Sequence, residues 1–127
     1  MNYTEINNKL AEIDTENNIW VIYIVIIILS WYSNSLEKKY FLNNDLLSKN
    51  KYREILIFIF SILVIIYFYF LKSSIDSINE LNEDDSEEKI NLVYLSFIGS
   101  LLIFISGLIY LYIAVNDEDI SVELAFN

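Results

Sequence analysis

The densest group of side chains able to do chemistry is a run of five carboxylates within six residues. Carboxylate oxygens are the ligands that hard cations such as Ca²⁺ prefer, but the run lacks the Asp/Asn spacing and the turn glycine of an EF-hand. Runs of like charge usually form solvated loops. The sequence therefore predicts a solvated acidic loop with no metal site, made by Glu83, Asp84, Asp85, Glu87 and Glu88.

Other chemistry is limited by the residue types that the chain lacks. Cysteine and histidine are both absent, which removes disulfides, thiol nucleophiles, imidazole bases and the common zinc ligands. The sequence has no glycine-rich phosphate loop and no G-x-S-x-G motif. A net charge of −10 argues against nucleic acid as a partner, because phosphate contacts need clustered Lys and Arg. We therefore expect a protein with no catalytic residues and no cofactor, and not an enzyme.

Three long stretches carry no charged residue: Ile19–Leu36, Ile55–Leu71 and Asn91–Asn116. About 18 uncharged, mostly apolar residues are enough to cross a bilayer as a helix. The second stretch has only 17 residues, but 14 are Ile, Leu, Phe or Val, which at roughly −0.3 to −0.6 kcal/mol each favour insertion. Only helices and closed barrels satisfy their backbone in lipid, and the strict alternation of barrel strands is absent. The sequence predicts three transmembrane helices.

The predicted fold is all-α, a single integral membrane domain in which three transmembrane helices form a small up-down bundle. No span contains Asp, Glu, Lys or Arg, which argues against an ion pump, an ion-coupled transporter or an intramembrane protease. The predicted segments are a polar N-terminal tail (1–18), the first span (19–36), a basic loop (37–54), the second span (55–71), an acidic loop (72–90), the third span (91–115) and an acidic C-terminal tail (116–127).

The N-terminal tail contains a short amphipathic pattern. Ile6, Leu10 and Ile13 recur at helical spacing, and Thr4 could cap a helix start. So short a helix is marginal without packing. One or two turns on the membrane surface and a frayed tail are therefore equally compatible with the sequence.

The basic loop predicts the orientation of the chain. Basic residues close to span ends are retained in the cytoplasm, whereas acidic residues contribute little to orientation. We therefore predict a multi-pass protein of the plasma (inner) membrane, with its N-terminus outside and its C-terminus cytoplasmic. The abundance of Ile (23) and Asn (14) over Ala (3) is typical of an AT-rich bacterial genome. The residues that determine this topology are Lys38, Lys39, Lys49, Lys51 and Arg53.

The third span carries a face of small residues that recur at spacings of three and four. Small residues let helix backbones approach closely in lipid, where packing and interhelical hydrogen bonds drive association. The face could contact a partner or a second copy, or it could pack on the first two spans, which need a neighbour and contain no glycine. The second interpretation is favoured. The face comprises Ser96, Gly99, Ser100, Ile103, Ser106, Gly107 and Tyr110.

These features favour a small, non-enzymatic multi-pass membrane protein that acts through helix contacts, as an accessory subunit or an immunity-type protector. Its expected partners are the lipid bilayer and either a membrane protein or further copies of itself. Three spans with an external N-terminus also resemble the topology of one class of phage holins, which implies a pore-forming lysis protein. Those proteins end in a basic tail, whereas this chain ends acidic. A small channel or transporter component is a third hypothesis.

Overall fold

The computed structural model describes residues 2–124 and contains three helices and no strand in that range. The helices are α1 (Tyr3–Asn43), α2 (Leu46–Asn79) and α3 (Glu87–Asn116). Each is long and apolar enough to cross a membrane. The predicted all-α fold with three membrane-spanning helices is therefore confirmed, and the chain has the architecture of a multi-pass membrane protein.

The first helix extends well beyond its apolar stretch. It has 41 residues, or roughly 60 Å at 1.5 Å per residue. Residues 3–18, for which the sequence predicted at most one or two turns, continue it as a polar extension. A capping box starts this extension, since the Asn2 side chain accepts from the Glu5 amide at 2.8 Å and Glu5 accepts from the Asn2 amide at 3.0 Å. Extending an existing helix requires no new nucleation, and α1 contains no proline or glycine to interrupt it.

A two-residue turn joins α1 to α2 where the sequence suggested a loop over 37–54. Asn44 adopts a left-handed conformation (φ 56°), and its amide donates to the Tyr40 carbonyl at 2.7 Å. Asp45 then caps α2 by accepting from the amides of Leu47 and Ser48. The basic residues of this region therefore lie on the adjoining ends of two helices.

The acidic connection between α2 and α3 is shorter than its predicted range, because α2 continues to Asn79 and α3 begins at Glu87. The Asp85 carboxylate accepts from the Asn82 amide at 2.7 Å and from the Lys89 ammonium at 3.0 Å. These bonds hold the pKa of Asp85 below its usual value, the backbone bond from Asn82 being the main cause. Within residues 2–124 no group of three or more acidic side chains is arranged to hold a metal ion.

The central helix of the bundle is α2. It packs on both α1 and α3, whereas the backbones of α1 and α3 do not approach each other within the described residues. Buried positions seven apart recur on all three helices: Ile19, Ile26 and Ser33 on α1, Tyr52, Ile59 and Ile66 on α2, and Gly107 and Ala114 on α3. A seven-residue repeat is typical of helices that cross at about 20°. Because the backbone of α3 approaches only α2 among the described residues, most of the apolar surface of α3 is exposed.

Candidate functional site

The structure divides the predicted small-residue face of α3 into two parts. Gly107 is buried, and Ser100 and Tyr110 are half-buried. The Tyr110 ring lies 5.7 Å from the Phe60 ring of α2. This part of the face packs against α2.

Gly107 is required by the contact between α2 and α3. A Cβ atom at this position would lie 2.9 Å from Cδ2 of Tyr67 and 3.4 Å from Cγ2 of Val64. Carbon atoms pack best at about 3.5–4.0 Å, so an alanine here would push against a ring that is itself packed. The absence of a side chain at Gly107 therefore sets how closely the two backbones approach.

The rest of the predicted face is exposed and forms what we call the exposed stripe. Its members are spaced three, four and three residues apart, which places them on one side of the helix. A Cβ atom added at Gly99 would have no atom within 4 Å, so nothing in the described fold requires a glycine there. The exposed stripe consists of Ser96, Gly99, Ile103 and Ser106.

The serine hydroxyls of the spans fall into two groups. Ser33 and Ser61 donate to carbonyls of their own preceding turns at 2.8 and 2.6 Å, which is how a lone serine satisfies its hydroxyl in lipid. Four other serine hydroxyls make no hydrogen bond within residues 2–124, namely those of Ser30, Ser96, Ser100 and Ser106. Two of these serines, Ser96 and Ser106, belong to the exposed stripe. Both hydroxyls therefore remain able to bond to another helix.

The five residues predicted to determine topology have separate roles. Lys38 and Lys51 are exposed and form no ion pair within residues 2–124. Lys39 lies 3.4 Å from the Asp45 carboxylate, and Lys49 lies 3.6 Å from the Asp119 carboxylate. The sequence separated the basic loop from the acidic segment after α3, but the fold brings them together.

Arg53 holds the end of α3. Its Nη2 atom donates to the Val115 carbonyl at 3.2 Å, one of the last carbonyls of that helix, where a cation also complements the helix dipole. The neighbouring Asp117 carboxylate accepts from the amides of Ser121 and Val122. These two bonds are the main reason why the pKa of Asp117 is below its usual value, and the nearby charge of Arg53 lowers the pKa further.

A tyrosine–carboxylate pair links α1 to α2 at the same end. Tyr52 is 2% exposed, and its hydroxyl donates to the Glu37 carboxylate. Burial is the main cause of the raised pKa of Tyr52, followed by the charge of Glu37. Burial also raises the pKa of Glu37, the bond from Tyr52 lowers it, and the charge of Glu123 raises it. This pair therefore links α1 to α2.

Sequence reasoning missed this link and the role of the segment after α3. Glu37 and Tyr52 are fifteen residues apart and match no motif, so only the turn at Asn44 and Asp45 makes them neighbours. One weak signal was available. Glu37 lies directly beside an uncharged span, where an unpaired carboxylate would be costly.

At the other end of the molecule, away from the turn at Asn44 and Asp45, there is an open polar cleft of about 1080 Å³. It lies between the N-terminal extension of α1 and the C-terminal end of α2. Lys9 pairs with Glu12 on the same helix at 3.5 Å. No ion pair crosses the cleft among the described residues. The lining residues include Glu5, Glu12 and Glu16 of α1 and Lys72, Asp76 and Glu80 of α2.

Comparisons with family models, curated proteins and solved structures find no match for this chain. The described residues thus offer two features with functional potential. One is the exposed stripe of α3, and the other is the polar end where basic residues meet the acidic segment after α3.

Proposed function

We propose that this protein is a small, non-enzymatic multi-pass membrane protein that acts by packing α3 against a helix of another membrane protein. An accessory subunit and an immunity-type protector both fit this mode of action. The proposed location is a bacterial plasma membrane, with the Lys38–Arg53 region and the end of the chain in the cytoplasm. The distribution of basic residues supports this orientation.

The observation that carries the proposal is Gly99. Glycine in a helix interior is about 1 kcal/mol less favourable than alanine, and the chain contains only two glycines. Gly107 is explained by its contact with Tyr67, whereas Gly99 contacts nothing that would require its small size. In membranes, a small residue on a helix surface permits the close approach of another backbone.

The hydroxyls of Ser96 and Ser106 support the same proposal. They flank Gly99 on the exposed stripe and have no partner within the described fold. Hydrogen bonds between helices contribute about 0.6–2 kcal/mol each in membranes. A partner helix with donors or acceptors at matching positions would satisfy both serines while its backbone passes over Gly99.

Site-specific cross-linking in the native membrane tests the proposal, and the absence of cysteine makes single-cysteine variants clean reporters. Cysteine at Ser96, Ile103 or Ser106 should give a discrete cross-linked product. Cysteine at Ile105 or Tyr112, which are exposed on another side of α3, is the matched control. Adding Gly99→Leu should abolish the product without lowering the monomer's thermal stability. Equal cross-linking from both sides of α3 would exclude a specific partner at the stripe.

The same experiment separates the alternatives. A product of twice the monomer mass would identify a homo-oligomer instead of a different partner. A holin would in addition arrest growth abruptly and permeabilise the inner membrane on induction, and a channel component would conduct ions in liposomes. We expect neither effect. Cysteine accessibility at Lys38 and Lys51 from each side of the membrane tests the proposed orientation.

A further inference from the structure

The segment that follows α3, residues 117–124, folds back over the end of the bundle. The Asp117 carboxylate shapes the turn by accepting from the Ser121 amide and hydroxyl at 3.0 and 2.8 Å and from the Val122 amide at 2.8 Å. Ile120 has a φ of 53°, a strained conformation for a β-branched residue. Strain of this kind persists only where surrounding contacts compensate for it.

The 117–124 segment connects α3 to the other two helices. Leu124 is 6% exposed and belongs to the same apolar cluster as Leu36 of α1 and Tyr52 of α2. Asp119 pairs with Lys49 of α2. Because the backbones of α1 and α3 do not meet, this segment is a direct connection between the end of α3 and α1.

The two partners of the Lys49–Asp119 ion pair differ in their exposure to solvent. The Lys49 side chain is only 16% exposed, whereas that of Asp119 is 91% exposed. The lysine also lies over the Tyr40 ring, 5.3 Å from its centre. The cation is thus largely enclosed by its surroundings, while the carboxylate that neutralises it is exposed to solvent. Another anion reaching Lys49 could take its place.

The position of this contact suggests which anion that would be. Lys49 and Arg53 lie within six residues of Ile55, where the second uncharged stretch begins, and therefore near the depth of the lipid headgroups. Anionic headgroups attract basic residues beside a span. Once released, Val122 and Leu124 could enter the membrane interface, so that their apolar surface would not become exposed to water.

We propose that the 117–124 segment is a mask over Lys49 that anionic lipid headgroups displace. In a neutral membrane the segment stays closed on the bundle. In an anionic membrane, headgroup phosphates bind Lys49, the Asp119 contact is lost, and the segment moves away from α1. The membrane composition would thereby control whether this end of the protein is covered.

The experiment measures the position of the segment in the full-length protein. Spin labels at Glu118→Cys and Leu42→Cys, both exposed positions, report the distance between the segment and α1 in nanodiscs. In phosphatidylcholine we expect one narrow distance distribution. Replacing part of the lipid with phosphatidylglycerol should raise the ratio of open to closed segments about fivefold, the effect of one lysine at an anionic surface. An identical distribution in both lipids would refute the proposal.

Two further variants test the mechanism. Asp119→Asn removes the carboxylate that neutralises Lys49, and it should raise the ratio of open to closed segments already in phosphatidylcholine. An unchanged ratio for Asp119→Asn in that lipid would contradict the role of the ion pair. Lys49→Gln should lose most of the response to phosphatidylglycerol, whereas Lys51→Gln, an equal change of charge on an exposed lysine, should keep it. Equal loss in both variants would show a general surface-charge effect and overturn the specific mask.

Discussion

The two glycines of α3 allow one contact between helices to be measured against an internal control. Gly107→Ala places a Cβ atom 2.9 Å from the Tyr67 ring, whereas Gly99→Ala places one in open space. Overpacking of a well-packed contact costs about 1–3 kcal/mol. Both variants gain the same helix propensity, at most about 1 kcal/mol. The difference between the two variants cancels this gain and isolates the contact between α2 and α3.

We therefore expect Gly107→Ala to be less stable than Gly99→Ala by about 1–3 kcal/mol. Gly99→Ala itself should equal or slightly exceed the original protein. Unfolding in mixed detergent micelles, followed by the near-UV circular dichroism of the aromatic residues, measures both free energies. Equal stability of the two variants would refute the inference that Gly107 sets the approach of α2 and α3. It would also remove the contrast on which the significance of Gly99 depends.

Three further changes test the ends of the helices. Tyr52→Phe removes the hydrogen bond to Glu37 from a buried position and should lower the free energy of unfolding by about 1 kcal/mol. Thermal unfolding at neutral pH measures this change. An unchanged free energy would mean that the Tyr52–Glu37 pair does not stabilise the fold. The pKa of Glu37 is raised above 4.5 in the folded protein. The contribution of Glu37 to stability is therefore present below pH 4.5 and is lost as pH rises through the raised pKa. Glu37→Gln should flatten this part of the stability–pH curve, whereas the exposed control Glu54→Gln should not. Asn2→Ala should destabilise the start of α1 by about 1 kcal/mol. Amide hydrogen exchange should then increase over residues 3–18 but not over residues 19–36. Exchange that rises throughout α1 would show that the extension and the span unfold together.

The fold was predictable because the bilayer restricts the choice of structures. Stretches such as Ile55–Leu71 must form hydrogen bonds within themselves in lipid, and uncharged length alone identifies them. The extent of the helices was less predictable. Residues 3–18 have little intrinsic stability as a helix, and their sequence does not reveal that they will continue a helix already formed in the span.

The candidate site was predictable only in part. The three- and four-residue spacing placed Ser96, Gly99 and Gly107 on neighbouring parts of one helix surface, and in the structure Gly107 is buried while Ser96 and Gly99 are exposed. Which of the two glycines contacts α2 depends on the rotation of α3 about its own axis. That rotation is set by the ring of Tyr67 and its neighbours on another helix, which periodicity within α3 does not encode.

The sequence by itself determined that three uncharged segments form helices, because their backbone has no alternative in a membrane. It also determined which stretches of the chain carry no charged side chain. Only the tertiary structure decided that α2 lies between α1 and α3, that Gly107 is covered while Gly99 is not, and that Asp119 reaches Lys49. The physical reason is that insertion depends on the hydrophobicity of each segment taken alone, whereas packing depends on the shapes of side chains that the chain brings together from distant positions.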